Sequence, residues 1–321
     1  MRGTGALAVI PALLGCQDQV RSILPDGGTM TTTEQRWTRM ELPKEAVGKN
    51  LFAVSGAAAE RVFMVGERGT ILQWDGMKLS LVPPVTNEDL KAVTLVSTAR
   101  GFAVGNKGTI LRFDGTSWAL DASDSTANLL GVWASDTRAL AVGESGAAVL
   151  LEEPMPWRTI PNDSPDHLHG VTAVGNQVIA VGTLGTVSQL RGRGMMANMT
   201  RSAVREYLKT LEAAATGDDG TYAVGVDGAV FRWQSGFRQV KLALPASVLR
   251  GVAATGGAVF VVGNDATVAR ITGMDVLVYP DIPERWVYGV WGASSSDVWI
   301  TGASGMLLHG PPAIDPPGVT P

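Results

Sequence analysis

Cysteine is almost absent from this chain, and its absence excludes the most. One cysteine in 321 residues, Cys16, permits no internal disulfide framework and no cysteine-based zinc site. Histidine is nearly as scarce, at three, which leaves little material for metal chemistry. Charged residues make up only 17%, against the ~25% usual in soluble domains. A net charge of −4 lacks the basic excess that a nucleic-acid reader needs, so no nucleic-acid partner is expected. Glycine, by contrast, is abundant, at 39 residues. Low charge with high glycine suits short strands and tight turns better than helical bundles. A hydrophobic content of 45% is enough to bury a sizeable core.

The first residues read as an export signal. Arg2 supplies a positive start, and Ala6 to Leu14 form an apolar stretch of the length of a signal core. Pro11 interrupts it, and it is too short to span a membrane as a helix. Leu13-Leu14-Gly15-Cys16 follows at once and resembles the lipobox of bacterial lipoproteins. That resemblance implies cleavage before Cys16, lipidation of its thiol, and residues 1–15 as a signal peptide. Gln17 after the cysteine leaves sorting to the outer membrane open. Residues 16–35 are polar, with Gly27-Gly28 and Thr31-Thr32-Thr33, and read as a flexible tether. Residues 311–321 carry five of the chain's prolines from Pro311 to Pro321 and read as a disordered tail.

Between these ends one pattern recurs: an apolar residue, a variable one, glycine or alanine, then valine or alanine. Its copies begin at Leu51, Leu90, Leu129, Leu168, Leu211, Leu249 and Val287, at spacings of 39, 39, 39, 43, 38 and 38. About a dozen residues after each opening comes a glycine, two variable residues and a second glycine. The first glycines are Gly66, Gly105, Gly143, Gly182, Gly225, Gly263 and Gly302. The second is present in every copy except the sixth, which has Ala266. Apolar stretches such as Thr70-Ile71-Leu72 follow, and then turns such as Asp75-Gly76 and Asp114-Gly115 that mark hairpins.

Each unit therefore holds four short strands, and a period near 40 with four strands is that of a propeller blade. The reading is an all-β fold, a seven-bladed β-propeller spanning residues 36–310. Small residues in the opening motif are expected where innermost strands converge at the hub. The seventh unit ends at Met306-Leu307-Leu308-His309 without a fourth strand. The segment from Arg36 to Leu42 matches fourth strands elsewhere, so an N-terminal strand should pair with the last blade and close the ring. The tryptophans that recur at repeat positions, such as Trp37, Trp118 and Trp157, are expected to pack blade against blade. The irregular stretch is 195–208, where Met199, Ala203 and Tyr207 are four apart. It reads as a short helix or a long loop, and with Arg191, Arg193, Arg201, Arg205 and Lys209 it is the most basic part of the chain.

The cleanest copy runs Ala103-Val104-Gly105-Asn106-Lys107-Gly108-Thr109-Ile110-Leu111-Arg112-Phe113-Asp114-Gly115-Thr116-Ser117-Trp118. Units of this form resemble those of bacterial propeller repeat lipoproteins and of the photosystem II assembly-factor-like and BNR-like seven-bladed propellers. The resemblance covers about residues 37–310 and speaks to fold more than to task. The sialidase relatives carry an aspartate box, which Asp114-Gly115-Thr116-Ser117-Trp118 matches incompletely.

The variable second position of the opening motif reads Phe52, Lys91, Leu130, His169, Glu212, Arg250 and Tyr288 around the ring. These residues are expected to line one mouth of a central channel. Two cations, a carboxylate, a histidine and two aromatics suit recognition of a peptide, glycan or protein. Glu212 with His169 or a cation is the only pairing that suggests acid–base work, and no nucleophile–base–orienter spacing is readable. The glycine pairs lie between strands, unlike phosphate-binding loops that open helices. His167 and His169 are spaced as metal ligands sometimes are, but no third ligand is evident, and neither metal nor cofactor is expected. The function that fits is a non-catalytic interaction or scaffold module, monomeric and lipid-anchored in the bacterial envelope, most simply at the outer membrane, with envelope proteins as partners. The competing readings are a glycan-binding lectin and a glycan- or peptidoglycan-active hydrolase using the same mouth.

Overall fold

A computed structural model describes residues 21–23, 37–204, 207–242, 244–245 and 248–310. It contains seven antiparallel sheets. Blade one runs outward through Leu51–Ala58, Arg61–Gly66, Ile71–Trp74 and Leu79–Leu81. The other innermost strands are Leu90–Ser97, Leu129–Ala134, Leu168–Val174, Leu211–Gly217, Leu249–Thr255 and Val287–Ser294. Each lies against the innermost strand of the next blade, and the seventh lies against the first, so the sheets form a closed ring.

Apolar residues fill the seven spaces between neighbouring blades. Phe63, Val65 and Ile71 of blade one meet Leu90, Ala103 and Phe113 of blade two. Equivalent clusters fill the other six junctions. Both faces of every sheet are thus buried, which explains runs such as Val62–Val65 with no polar alternation. The fourth-strand tryptophans bridge blades as expected. Trp118 meets Phe63 edge-on at 5.3 Å, Trp157 meets Phe102 at 5.4 Å, and Trp37 meets Tyr279 at 5.3 Å.

The repeated glycines have steric causes. After each first glycine, the next backbone N–H donates to the carbonyl just before the opening residue: Thr183 to His167 at 3.0 Å, for example. That bond brings the carbonyl against the glycine's α-carbon, and a β-carbon on Gly182 would sit 1.9 Å from the His167 oxygen. The hub residues behave alike. A β-carbon on Gly170 would lie 2.8 Å from the Ala214 nitrogen on the next innermost strand.

Ring closure follows the sequence reading. Thr38–Arg39 pairs with the last strand of blade seven, Thr38 opposite His309 and Arg39 opposite Leu308, and the Met40 N–H donates to the Leu307 carbonyl at 2.9 Å. Polar contacts add to it: the Ser304 N–H of blade seven donates to Asn50 Oδ1 at the start of blade one.

One expectation is corrected. Within 195–208, the residues up to Ala203 form neither an α-helix nor a protruding loop. A single 3₁₀ turn at Gly194–Met196 leads into Asn198–Ala203, the outer strand of blade four, paired along Thr186–Arg191. A spacing of four satisfies a period of two as well as one near 3.6, so Met199 and Ala203 could not distinguish helix from strand. Burial of Met199 in the junction with blade three decides for the strand. Within the stretch read as a tether, Arg21–Ile23 form a further strand on blade six. Cys16 and residues 311–321 lie outside the described residues.

Candidate functional site

The seven variable residues share a backbone feature that the sequence does not show. In every blade the pairing of the first two strands slips by one between the first and third positions of the opening motif. Leu51 faces Gly66 and Ala53 faces Val65, so Phe52 is the extra residue of a β-bulge. A bulged residue is released from the ladder, and bulges re-aim side chains at functional rims. The ring of bulges gathers Phe52, Lys91, Leu130, His169, Glu212, Arg250 and Tyr288 at one mouth of the channel.

Two arcs of contact result. In the first, the rings of Phe52 and Tyr288 lie 5.5 Å apart, and Lys91 Nζ sits 3.9 Å over the Phe52 ring. Lys91 also pairs with Asp89 at 3.0 Å. In the second, Glu212 Oε2 stands between His169 Nδ1 and Arg250 Nη1, 3.9 Å from each. These are ion-pair separations, beyond hydrogen-bond length. Arg250 Nε donates to Asn264 Oδ1 at 2.7 Å, and the guanidinium lies 5.8 Å from the centre of the Trp286 ring. Trp286 is itself 43% exposed. His167 and His169 have ring centres 6.5 Å apart. Among the described residues, no group of three or more His, Cys, Asp or Glu is placed to hold a metal ion.

Burial holds the His169 imidazole below its ordinary value of 6.5, and the nearby Glu212 carboxylate only partly offsets this. Its Nε2 is buried with no hydrogen-bond partner among the described residues. The neutral ring is thus favoured in the folded chain, while the unfolded chain takes up its proton near the ordinary value. The stability contributed by neutral His169 is therefore present above about pH 6.5 and lost as pH falls through the lower folded-state value. Urea midpoints measured from pH 7.5 to 5 should fall more steeply for the parent chain than for His169→Gln. Parallel curves would refute this.

The sequence reading missed the residues just before three of the openings, Asn50, Asp89 and Asn128. Arg68 N–H donates to Asp89 Oδ1, and Lys107 N–H donates to Asn128 Oδ1, both at 3.0 Å. With the Ser304–Asn50 bond, these staple the glycine turn of one blade to the start of the next. The donors have positive φ, 52° at Arg68, 53° at Lys107 and 54° at Ser304. The signal was present as Asn50-Leu51, Asp89-Leu90 and Asn128-Leu129.

The opposite end of the channel differs. A cavity of about 600 Å³ opens there, lined by Val54, Val93, Val132, Val171, Val252 and Val290, with Trp133 and Trp291 at its sides. Those two tryptophans border this cavity, in addition to packing between blades. The channel thus has one mouth of paired charges and aromatics and another, free of charged side chains, where Ser55, Thr94, Thr172 and Thr216 alternate with the valines.

No protein-family model matches the chain, and no match is found among curated proteins. Solved structures do match. One is described as YCF48 bound to D1 peptide, at a TM-score of 0.66 and 14% identity over 88% of this chain and 97% of that one. Another is YCF48 from Cyanidioschyzon merolae, at 0.66 and 16%, over 85% and 98%. At such identities the likeness shows the propeller fold.

Proposed function

We propose that this chain is a non-catalytic interaction module of a bacterial envelope, anchored by lipid at Cys16, whose bulge-lined mouth receives an extended segment of a partner protein. The observation that carries the reading is the convergence of residues from all seven blades on one mouth, with their charges already paired. Paired charges lower the cost of excluding water from the site, and the Phe52–Tyr288 pair offers apolar area to a side chain. Arg250 and Glu212 offer a peptide backbone a donor and an acceptor at this mouth. The 3.9 Å separations around Glu212 favour recognition over proton transfer, which needs hydrogen-bond reach. The bound D1 peptide of the similar YCF48 structure supports a peptide ligand.

The test is a displayed peptide library selected on the chain carrying Cys16→Ser. A specific peptide should emerge, and Phe52→Ala or Arg250→Ala should each weaken it by about 2 kcal/mol, roughly 30-fold in Kd. Circular dichroism should be unchanged. Selection of no peptide, together with glycan-array binding lost in Tyr288→Ala, would replace the reading with a lectin. Labelled palmitate incorporated by the parent and not by Cys16→Ser tests the anchor.

A further inference from the structure

Blade six differs from the other six at its rim. Its fourth strand, Asp275–Val278, carries a fifth: Arg21 pairs with Val278, Ser22 with Leu277 and Ile23 with Val276, all antiparallel. Among the described residues every other blade ends at its fourth strand. An outer strand presents unpaired backbone groups, and proteins blunt such edges by keeping them short or charged. The outer strands Arg158–Thr159, Asn198–Ala203, Phe237–Val240 and Thr38–Arg39 each contain arginine, and Leu79–Leu81 and Trp118–Leu120 are three residues long. Blade six offers four residues whose one charge, Asp275, lies at the strand's end outside the pairing, and the three that pair are Val276, Leu277 and Val278. This is the rim best suited to accept a strand.

We propose that Arg21–Ile23 is a docking strand that holds the N-terminal segment on the edge of blade six and so makes that rim the one nearest the membrane. The orientation rests on the reading of Cys16 as lipidated; the docking does not. Chain length gives the consequence. Trp37 lies 21 positions after Cys16, and an undocked coil of that length has a root-mean-square span of about 25 Å and a maximum near ~70 Å. With Arg21 held on blade six, the anchor is only five positions away, and that length of chain reaches at most ~17 Å. A swinging attachment becomes a short one. Blade three, across the ring, is then held away from the lipid, and the mouth takes a restricted set of directions relative to the surface.

Hydrogen exchange on the chain carrying Cys16→Ser tests the docking without lipid. Backbone amides of Val276 and Val278, which face the fifth strand, should exchange at least tenfold more slowly in this chain than in a variant carrying Ser22→Pro and Ile23→Pro, while that of Leu277, which faces Arg270, should not. Adjacent prolines remove donors on both sides of the strand, so one of them must disrupt the pairing. Both substitutions lie outside the ring, so a folded comparison is retained. Equal exchange overturns the proposal. The lipidated chain on vesicles tests the orientation. With Cys16 acylated, Met274→Cys on the outer hairpin of blade six and Met155→Cys on blade three each supply a sole free thiol for a fluorophore. Lipid-borne quenchers should dim the label at 274 severalfold more than that at 155, and the proline pair should erase the difference. Equal quenching in the parent overturns the orientation. Slow exchange without vesicle association overturns the anchor reading and leaves the docking strand in place.

Discussion

A chain beginning at Pro43 should melt about 10–20 °C below one beginning at Glu34. Both lack Arg21–Ile23, so the comparison isolates the closing strand. The shorter chain loses the pairing of Thr38 and Arg39 with blade seven and the Met40–Leu307 bond, each such bond being worth about 1 kcal/mol net. It also loses Trp37 from the junction between blades six and seven, and Met40 and Leu42 from that between seven and one. Partial burial of three such side chains adds roughly 3 kcal/mol. A total near 5 kcal/mol, at about 2–4 °C per kcal/mol for a domain of this size, gives the stated range. The deficit should be partly restored by adding a peptide of residues 36–42 in trans. The Asn50–Ser304 bond and the packing between blades seven and one persist, so the ring should loosen rather than scatter. An unchanged melting temperature would mean that the apolar junctions alone close the ring.

Gly182→Ala should destabilise the protein by about 3 kcal/mol or more, whereas Gly175→Ala should cost only about 1 kcal/mol. The usual expectation is the reverse. Gly175 has φ +55°, where an L residue is strained, while Gly182 is extended at φ −168°, a conformation open to any residue. Space decides instead. Nothing lies within 4 Å of a β-carbon at Gly175, whereas one at Gly182 would overlap the His167 oxygen at 1.9 Å. That oxygen cannot retreat without breaking its bond from the Thr183 N–H, which recurs in all seven blades. Urea unfolding of the two variants separates the effects. Equal losses would show that the contact relaxes cheaply.

The glycine pairs were readable because seven copies repeat one steric demand. The second glycine sits in the left-handed region at 67° in Gly69 and 69° in Gly108, and its added β-carbon would strike the crossover entering the next blade. Ala266, at the same place in blade six, adopts φ +57°, so the one departure in the sequence carries strain at an intact turn. The closing strand was readable for a related reason: a ring of four-stranded units with one strand missing at its end has only one other place to find it. Residues 195–208 were not, because two periods fit the same apolar spacing.

Sequence alone determined the number of blades, their order, the small residues at the hub and the partner of the last sheet. Each of these is a local or repeated requirement, legible within one unit and reinforced in the others. The tertiary structure alone decided that the variable residues are bulged, that Phe52 meets Tyr288 and Lys91, that Glu212 stands between His169 and Arg250, and that blade six receives a fifth strand. The bulge recurs in every blade but is a matter of strand register, which residue types do not reveal; the contacts join residues tens to hundreds of positions apart, and each occurs once. No repetition signals them, and only closing the circle brings them together.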